Sequence, residues 1–548
     1  MIRLGNVRRE ALLLLTAAVV ACAPAAQMGA TPGPSTPSGQ PTAGGTATQV
    51  PAAQALVPKR GGKLVIATGS DPGQLNPGLT TVSGVHLVAD NMFNGLIQFD
   101  QKLDPQPNLA ERWQVAPDGK SYTFFLRKGV KWHDGQPFTA ADVKFTFEEV
   151  LLKYHSRTKA GLENVLAGID TPDETTVLFR FKEPYAPLLR RLDVVEAPIL
   201  PRHVYAGKDV QTNDANLKPI GTGPFKFAEY VKGDRIRMVR NPDYFKPGLP
   251  YLDEVIFRII PQNTTALLAL EQGEVDYASD VPGPEIARLQ SSKAVSLVKA
   301  PAGPGGSFCI DQMFFNLSRP PLDKFEVRQA FAYGINRQQV LDQVRFGQGR
   351  IATGPIASTM GWAYNPNVTK YEFSVAKAKE ALAKAGVSNL AVTFVQATAF
   401  QRIAEVVKQN MAEVGVKVEL KTLDVTAANE QMFVRKDFDL GIGSYCGGPD
   451  PEVGVTRAYV SSNIGPIVFS NGAGYRNTGV DQLFAQAAST VDQAQRTRLY
   501  GEIQDQLTKD LPYWWLTETE LFRIHRAEIH DLRVWAGDLA ERAWTEKS

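Results

Sequence analysis

Lys63-Leu64-Val65-Ile66-Ala67 is a short apolar run that stops at Gly69-Ser70-Asp71-Pro72-Gly73, which predicts a buried strand feeding a turn-rich loop. A strand feeding a loop is where α/β proteins place binding groups. Farther on, Tyr122, Phe124 and Leu126 alternate with Thr123, Phe125 and Arg127 behind a Pro117-Asp118-Gly119 turn, the period of two of a sheet strand. Thr139 and Asp142 read as a capping box, opening a helix that carries Val143, Phe147, Val150 and Leu151 on one face. The middle of the chain is rich in strands and turns, punctuated by Gly221-Thr222-Gly223-Pro224 and Asn241-Pro242-Asp243. From Asp323 the pattern turns helical, with Val327, Ala330, Phe331 and Ile335 on one stripe, and a new domain is expected to begin near Cys309.

Residues 374–386 carry helix start and stop signals, Ser at one end and Gly at the other. Residues 390–395 read as a strand, 400–414 as a helix with Ile403, Val406, Val407, Met411 and Val414 inward, and Val416, Val418 and Leu420 as an alternating strand. This is a βαβ unit, which predicts a parallel pair with a right-handed crossover. Residues 438–445 form a further strand that runs into Cys446-Gly447-Gly448-Pro449-Asp450-Pro451. Such a loop at a strand's C-terminal end is where ligands of open α/β sheets sit.

The start of the chain follows different rules. Arg3, Arg8 and Arg9 precede residues 11–21, which are apolar except for Thr16 and shorter than the roughly 20 residues a membrane span needs, so the segment reads as an export signal. Residues 23–58 carry no charged or aromatic side chain, only Ala, Pro, Gly, Ser, Thr, Gln, a few aliphatics and one Met; they cannot build a core and read as a tether. The remaining length of the 548 residues predicts several structural units, and 43 % hydrophobic against 21 % charged residues gives them ample core material. Lys+Arg number 59 and Asp+Glu 57, a net charge of +2 that falls to zero once residues 1–22 are removed. So small a bias makes nucleic acid an unfavoured partner.

Enzyme signatures are missing from the sequence. There is no Gly-x-Ser-x-Gly elbow, His-Glu-x-x-His pair or Cys-x-x-Cys, and Gly119-Lys120-Ser121 has Gln114 where a phosphate loop needs glycine. His133-Asp134-Gly135 reads as a structural corner rather than a catalytic pair. His525 and His530 flank Glu528 at an offset that puts them on opposite faces of a strand, so neither metal nor cofactor is expected. Setting Cys22 aside leaves Cys309 and Cys446, which either pair in an oxidising exterior or stay as two buried thiols.

Longer motifs point to a family. Ala110-Glu111-Arg112-Trp113, then Asp118-Gly119-Lys120-Ser121-Tyr122-Thr123-Phe124, then Leu126-Arg127-Lys128-Gly129-Val130-Lys131-Trp132-His133-Asp134-Gly135 and Phe138-Thr139-Ala140-Ala141-Asp142-Val143 follow in order. Gly221-Thr222-Gly223-Pro224-Phe225, Asn241-Pro242-Asp243-Tyr244-Phe245, Pro250-Tyr251-Leu252-Asp253, Val327-Arg328-Gln329-Ala330-Phe331 and Ile335-Asn336-Arg337 continue the series. In order and spacing the set resembles the family 5 bacterial extracellular solute-binding proteins, the dipeptide and oligopeptide binders of ABC importers. Val19-Val20-Ala21-Cys22 likewise resembles a lipobox, with Cys22 acylated and the body held at the outer face of the cell membrane or in the periplasm.

The resemblance implies a type II periplasmic-binding-protein clamp of two lobes and three subdomains, closed by a hinge. Residues 59–95, 218–306 and 515–548 would form the main subdomain of lobe 1, 96–217 its second subdomain, and 307–514 lobe 2. It implies a monomer without catalysis, handing a small solute, most simply a peptide, to permease and ATPase subunits on separate chains; cello- or oligosaccharides and nickel complexes are the other cargoes of such clamps. Ligand contacts would come from Ser70 and Asp71, Asn94, Tyr445, Gly447 and Asp450, and Cys309 and Cys446 would form a disulfide within lobe 2. Two positions have double readings. Asp71 either pairs with an extended ligand or only shapes a strand-end turn. Asp450, arriving late in a shortened loop where oligopeptide binders place an acidic residue for the peptide ammonium, either receives that ammonium or caps the segment after Pro451. Trp514 and Trp515 read as core at the lobe junction rather than as a sugar platform.

Overall fold

The computed structural model describes residues 56–279, 281–299, 308–466, 468–534 and 537–546. The export signal, Cys22 and nearly all of the expected tether lie outside the described residues. Among the described residues no helix is long and apolar enough to cross a membrane.

The apolar run at residue 63 forms the strand Lys63–Thr68. It has no polar face because Leu64 and Ile66 pack into one cluster and Val65 and Ala67 into another, so the sheet is covered on both sides. It is central in a seven-stranded mixed sheet, in the order Val295–Lys299, Phe522–Arg526, Tyr277–Ala278, Lys63–Thr68, Glu254–Ile259, Arg235–Arg240, Phe225–Val231.

A second body is a four-stranded antiparallel sheet, in the order Ala110–Val115, Ser121–Leu126, Thr176–Phe181, Leu166–Asp173. The expected alternation holds: Tyr122, Phe124 and Leu126 are buried, and the residues between them are half-buried. The capping box is present with both reciprocal contacts, Thr139 and Asp142 starting the helix Ala140–Phe145. That helix continues through a wider π-type turn, Thr146–Leu151, which sets the Phe147 ring edge-on to Phe179 at 5.0 Å. The His133 corner joins this body to the first sheet. Its Nδ1 accepts from the Gly221 amide at 3.1 Å, so Nε2 carries the proton it donates to the Gly223 carbonyl at 3.0 Å. Burial pulls its pKa down to about 4, which keeps the ring neutral and fixes that tautomer. Gly221 is required here because a Cβ would lie 1.8 Å from the Met92 carbonyl oxygen.

The third body is a six-stranded sheet, in the order Arg350–Ile351, Tyr513–Glu518, Cys309–Phe315, Leu440–Cys446, Ala391–Ala397, Lys417–Leu423. The βαβ unit is formed as read: Ala391–Ala397 and Lys417–Leu423 pair in parallel, linked by the helix Gln401–Val414. Cys309 and Cys446 face each other across an antiparallel pair and are joined by a disulfide. Trp514 and Trp515 are core residues of this sheet.

The disulfide closes a loop of 137 residues, for which chain entropy predicts a stabilisation of about 3–5 kcal/mol. Cys446→Ser should therefore lower the denaturant midpoint of the parent, and reduction should lower it in the parent but not in the variant. Equal sensitivity to reductant in both proteins would count against the bridge.

Candidate functional site

The first and third sheets are joined by strands that are neighbours in both. Val295–Lys299 pairs with Phe522–Arg526 in one sheet, and Cys309–Phe315 pairs with Tyr513–Glu518 in the other. The return therefore falls between Glu518 and Phe522, a few residues later than the boundary expected after residue 514. At that return the Thr519 amide donates to the Cys309 carbonyl at 3.1 Å. Glu520 pairs with Lys299 of the first lobe and lies 3.4 Å from Arg350 of the second.

Away from this hinge the lobes meet again through charged side chains. Arg191 is 2 % exposed; it donates to the Glu452 carbonyl at 2.6 Å and to the Arg157 carbonyl at 3.2 Å, with the Glu452 carboxylate 4.0 Å away. One hydrophobic cluster runs from residues such as Phe124 and Leu188 in the first lobe to Met313 and Tyr513 in the second. The clamp is closed.

The expected contact residues are placed as follows. Ser70 is exposed at the end of the first strand. The Asp71 carboxylate accepts from the Gly73 amide at 2.9 Å, the Gly233 amide at 2.6 Å and the Tyr230 hydroxyl. Burial pushes this carboxyl up, but the Tyr230 hydroxyl and the two amides outweigh it and hold it below its usual range. These bonds tie the loop to the neighbouring hairpin. Asn94 is buried, accepts from the Thr222 hydroxyl at 3.0 Å and approaches the Tyr244 hydroxyl at 3.5 Å. Tyr445 is buried edge-on to Phe469 at 5.5 Å, and its hydroxyl reaches the Ser470 carbonyl at 3.4 Å. The Gly447 amide donates to the Phe308 carbonyl at 3.2 Å. Tyr445, Gly447 and Asp450 thus share one strand and its loop, and Ser70 and Asp71 lie at the strand end of the other lobe.

Asp450 is 1 % exposed and forms an ion pair with Arg496, its Oδ1 accepting from Nη2 at 2.9 Å and its Oδ2 lying 2.7 Å from Nη1. It also accepts from the Glu452 amide at 3.0 Å, so the turn-shaping half of its double reading is visible. The loop is tight: Gly454, at φ 106°, would bring a Cβ to 2.6 Å from the Cys446 carbonyl oxygen.

Sequence reasoning missed a buried group of charges at the lobe boundary. Arg157 lies 3.1 Å from Glu196, yet among the described residues neither Glu196 oxygen accepts a hydrogen bond, and the Nε atoms of Arg157 and Arg191 donate none. Asp193 donates no charge cheaply here: burial, then the charges of Glu196 and Asp90, push its carboxyl up to about 7. Behind it, His86 pairs with Asp90 at 3.0 Å. A signal existed in the unusual density of charge between apolar residues in Leu189-Arg190-Arg191-Leu192-Asp193-Val194-Val195-Glu196, but nothing in its spacing says that it faces residues 450–457.

Two packed α/β lobes on a paired-strand hinge define a solute-binding clamp of type II, a binder and not an enzyme. The family model described as "Bacterial extracellular solute-binding proteins, family 5 Middle" matches residues 104–466, and the chain belongs to that extracytoplasmic family. It is 32 % identical over 495 residues to Di/tripeptide-binding protein 1 of Pseudomonas aeruginosa, covering 85 % of this chain and 90 % of that one. It is 27 % identical to the glutathione-binding protein GsiB of Escherichia coli, covering 88 % and 94 %. The periplasmic binding protein DppA of Helicobacter pylori, solved with the peptide STSA, superposes with a TM-score of 0.79 at 26 % identity over 89 % of this chain and 99 % of that one.

Two predictions follow from the charges. Asp450→Asn leaves Arg496 buried without its partner and should cost about 3–5 kcal/mol in denaturant unfolding; a loss under 1 kcal/mol would show that the pair is dispensable. Asp193, raised in the fold, binds its proton more tightly folded than unfolded, so its contribution is present in acid and fades as pH rises through about 7. Asp193→Asn should flatten the decline of stability between about pH 4 and 7, and an unchanged slope would contradict the assignment.

Proposed function

We propose that this protein is the substrate-binding lipoprotein of an ABC importer, capturing a di- or oligopeptide between its lobes and delivering it to a permease on separate chains. The observation that carries this reading is the lobe boundary, where charged groups of both signs come from both lobes: buried Arg191 and Glu196 and half-buried Arg157 from one, half-buried Glu452 and Arg457 from the other. Fixed charges of both signs complement a zwitterion better than a neutral ring. The relatives named for di- and tripeptides and for glutathione, itself a peptide, support the same class of cargo.

The proposed body has a main subdomain from 59–95, 218–306 and the C-terminal segment, a second from 96–217, and lobe 2 from 307 to the return after Glu518. It acts as a monomer tethered through acylated Cys22, outside the cytoplasmic membrane. Of the six expected contacts, Tyr445 and Gly447 remain as cleft wall, Ser70 as an exposed loop residue, and Asp71, Asn94 and Asp450 as groups that shape the cleft while bonded within the protein.

The test is native mass spectrometry of the full chain purified with detergent from a bacterial host's membranes, before and after ligand release. The expected mass lacks residues 1–21, carries acyl groups, and loses a short peptide on release. A chain that keeps its N-terminus would sink the lipoprotein reading, and a released oligosaccharide would sink the peptide reading.

A further inference from the structure

Two glycines mark places where the lobes touch away from the expected ligand contacts. A Cβ on Gly119, in the second subdomain of lobe 1, would lie 2.8 Å from a Val491 methyl of lobe 2. A Cβ on Gly283, in the main subdomain, would lie 2.6 Å from Cδ2 of Phe346 in lobe 2 and 3.1 Å from its Cγ. Gly119 sits at φ 67°, a conformation that asks for glycine by itself, but Gly283 is outside that region. The main obstacle to a side chain at 283 is therefore the Phe346 ring, with a smaller local one from Pro284, which disfavours a helical residue before it.

Phe346 has little room to give way. It is itself at φ 54°, in a loop pinned at several points to lobe 2. The Arg345 Nε donates to Asp311 on one hinge strand at 2.9 Å, and the Gly347 amide donates to the Leu341 carbonyl at 3.0 Å. Gly349 lies so close to the other hinge strand that a Cβ would be 2.2 Å from the Glu518 carbonyl oxygen. The Arg402 guanidinium carbon stands over the ring at 5.4 Å and is held by the Gln343 carbonyl at 2.9 Å. Gly283 follows Tyr277–Ala278 and Phe346 precedes Arg350–Ile351, which are neighbours of Phe522–Arg526 and Tyr513–Glu518 respectively. Both residues thus flank the hinge, whereas Tyr445 is on the other side of Tyr513–Glu518, beyond Cys309–Phe315.

We propose that Gly283 is a positioning residue for capture: its bare Cα lets the lobes close onto Phe346, and this contact sets the angle at which the clamp stops. The proposal goes beyond the cargo reading above, because it rests on the two-lobed clamp and holds for any solute. A side chain at 283 raises the energy of the closed form and leaves an open form, in which the two elements part, untouched. Apparent affinity then falls with the fraction of closed molecules.

Spin labels at Lys218→Cys and Lys408→Cys, exposed positions on lobe 1 and lobe 2, report the interlobe distance of the full chain in detergent. With bound solute released, Gly283→Ala should shift the distance distribution of the parent, and adding Phe346→Ala should restore it. Identical distributions in parent and Gly283→Ala would overturn the proposal. Calorimetry with the tightest binder among a panel of dipeptides, glutathione and cellotriose gives a second readout. Gly283→Ala should bind it about 10-fold more weakly, the order of one overpacked methyl, and the double variant should bind as the parent does. An equal loss with and without Phe346 would place the effect in the turn before Pro284 and overturn the proposal. Cellotriose as the tightest binder would sink the peptide reading and leave the role of Gly283 to be decided by the same comparison of variants.

Discussion

The clamp depends on one constraint, that strands paired side by side in one sheet continue as strands paired side by side in another. Val295–Lys299 and Phe522–Arg526 are antiparallel neighbours at the edge of the first sheet, and Cys309–Phe315 and Tyr513–Glu518 are antiparallel neighbours inside the other. Two linked strands can bend together far more readily than they can slide past one another, because sliding breaks the register of both sheets. The Glu520 carboxylate, set between Lys299 and Arg350, takes a charge from each side of this bend.

Electrostatics then decides where the bend comes to rest. Arg191 reaches across to a main-chain carbonyl of residue 452 rather than depending on the carboxylate 4.0 Å off, so the contact is set by the path of the loop. That path is fixed in turn by the Asp450–Arg496 pair and by the crowded turn at Gly454. Buried ion pairs of this kind add little net stability, since desolvation offsets most of their attraction, but breaking one leaves a stranded charge. The result is geometric specificity for one arrangement of the loop.

Much of this fold was legible in the sequence, and the reason is local. Tyr122, Phe124 and Leu126, the Thr139–Asp142 box and the strand-helix-strand run from 390 to 423 declare themselves within a dozen or so residues, through period and capping chemistry alone. The disulfide came through resemblance, since two cysteines in a sequence do not choose between pairing and burial. The site was harder. Asp71 was visible as a loop residue, but its carboxylate is taken up by Tyr230 and Gly233, about 160 positions away. Asp450 is answered by Arg496, and Arg191 meets residue 452 from 261 positions off. Periodicity carries no record of such meetings, because they arise only when separate bodies close on each other.

The bridge between Cys309 and Cys446 has a further meaning for a protein that works outside the cytoplasm. It makes a covalent ring of residues 309–446, which contains five of the six strands of the second lobe's sheet. A single protease cut anywhere inside that ring opens it without releasing a fragment, so the severed ends stay tethered and can re-engage the same sheet. In an environment with proteases and no ATP-driven chaperones, this covalent closure turns a nick into survivable damage.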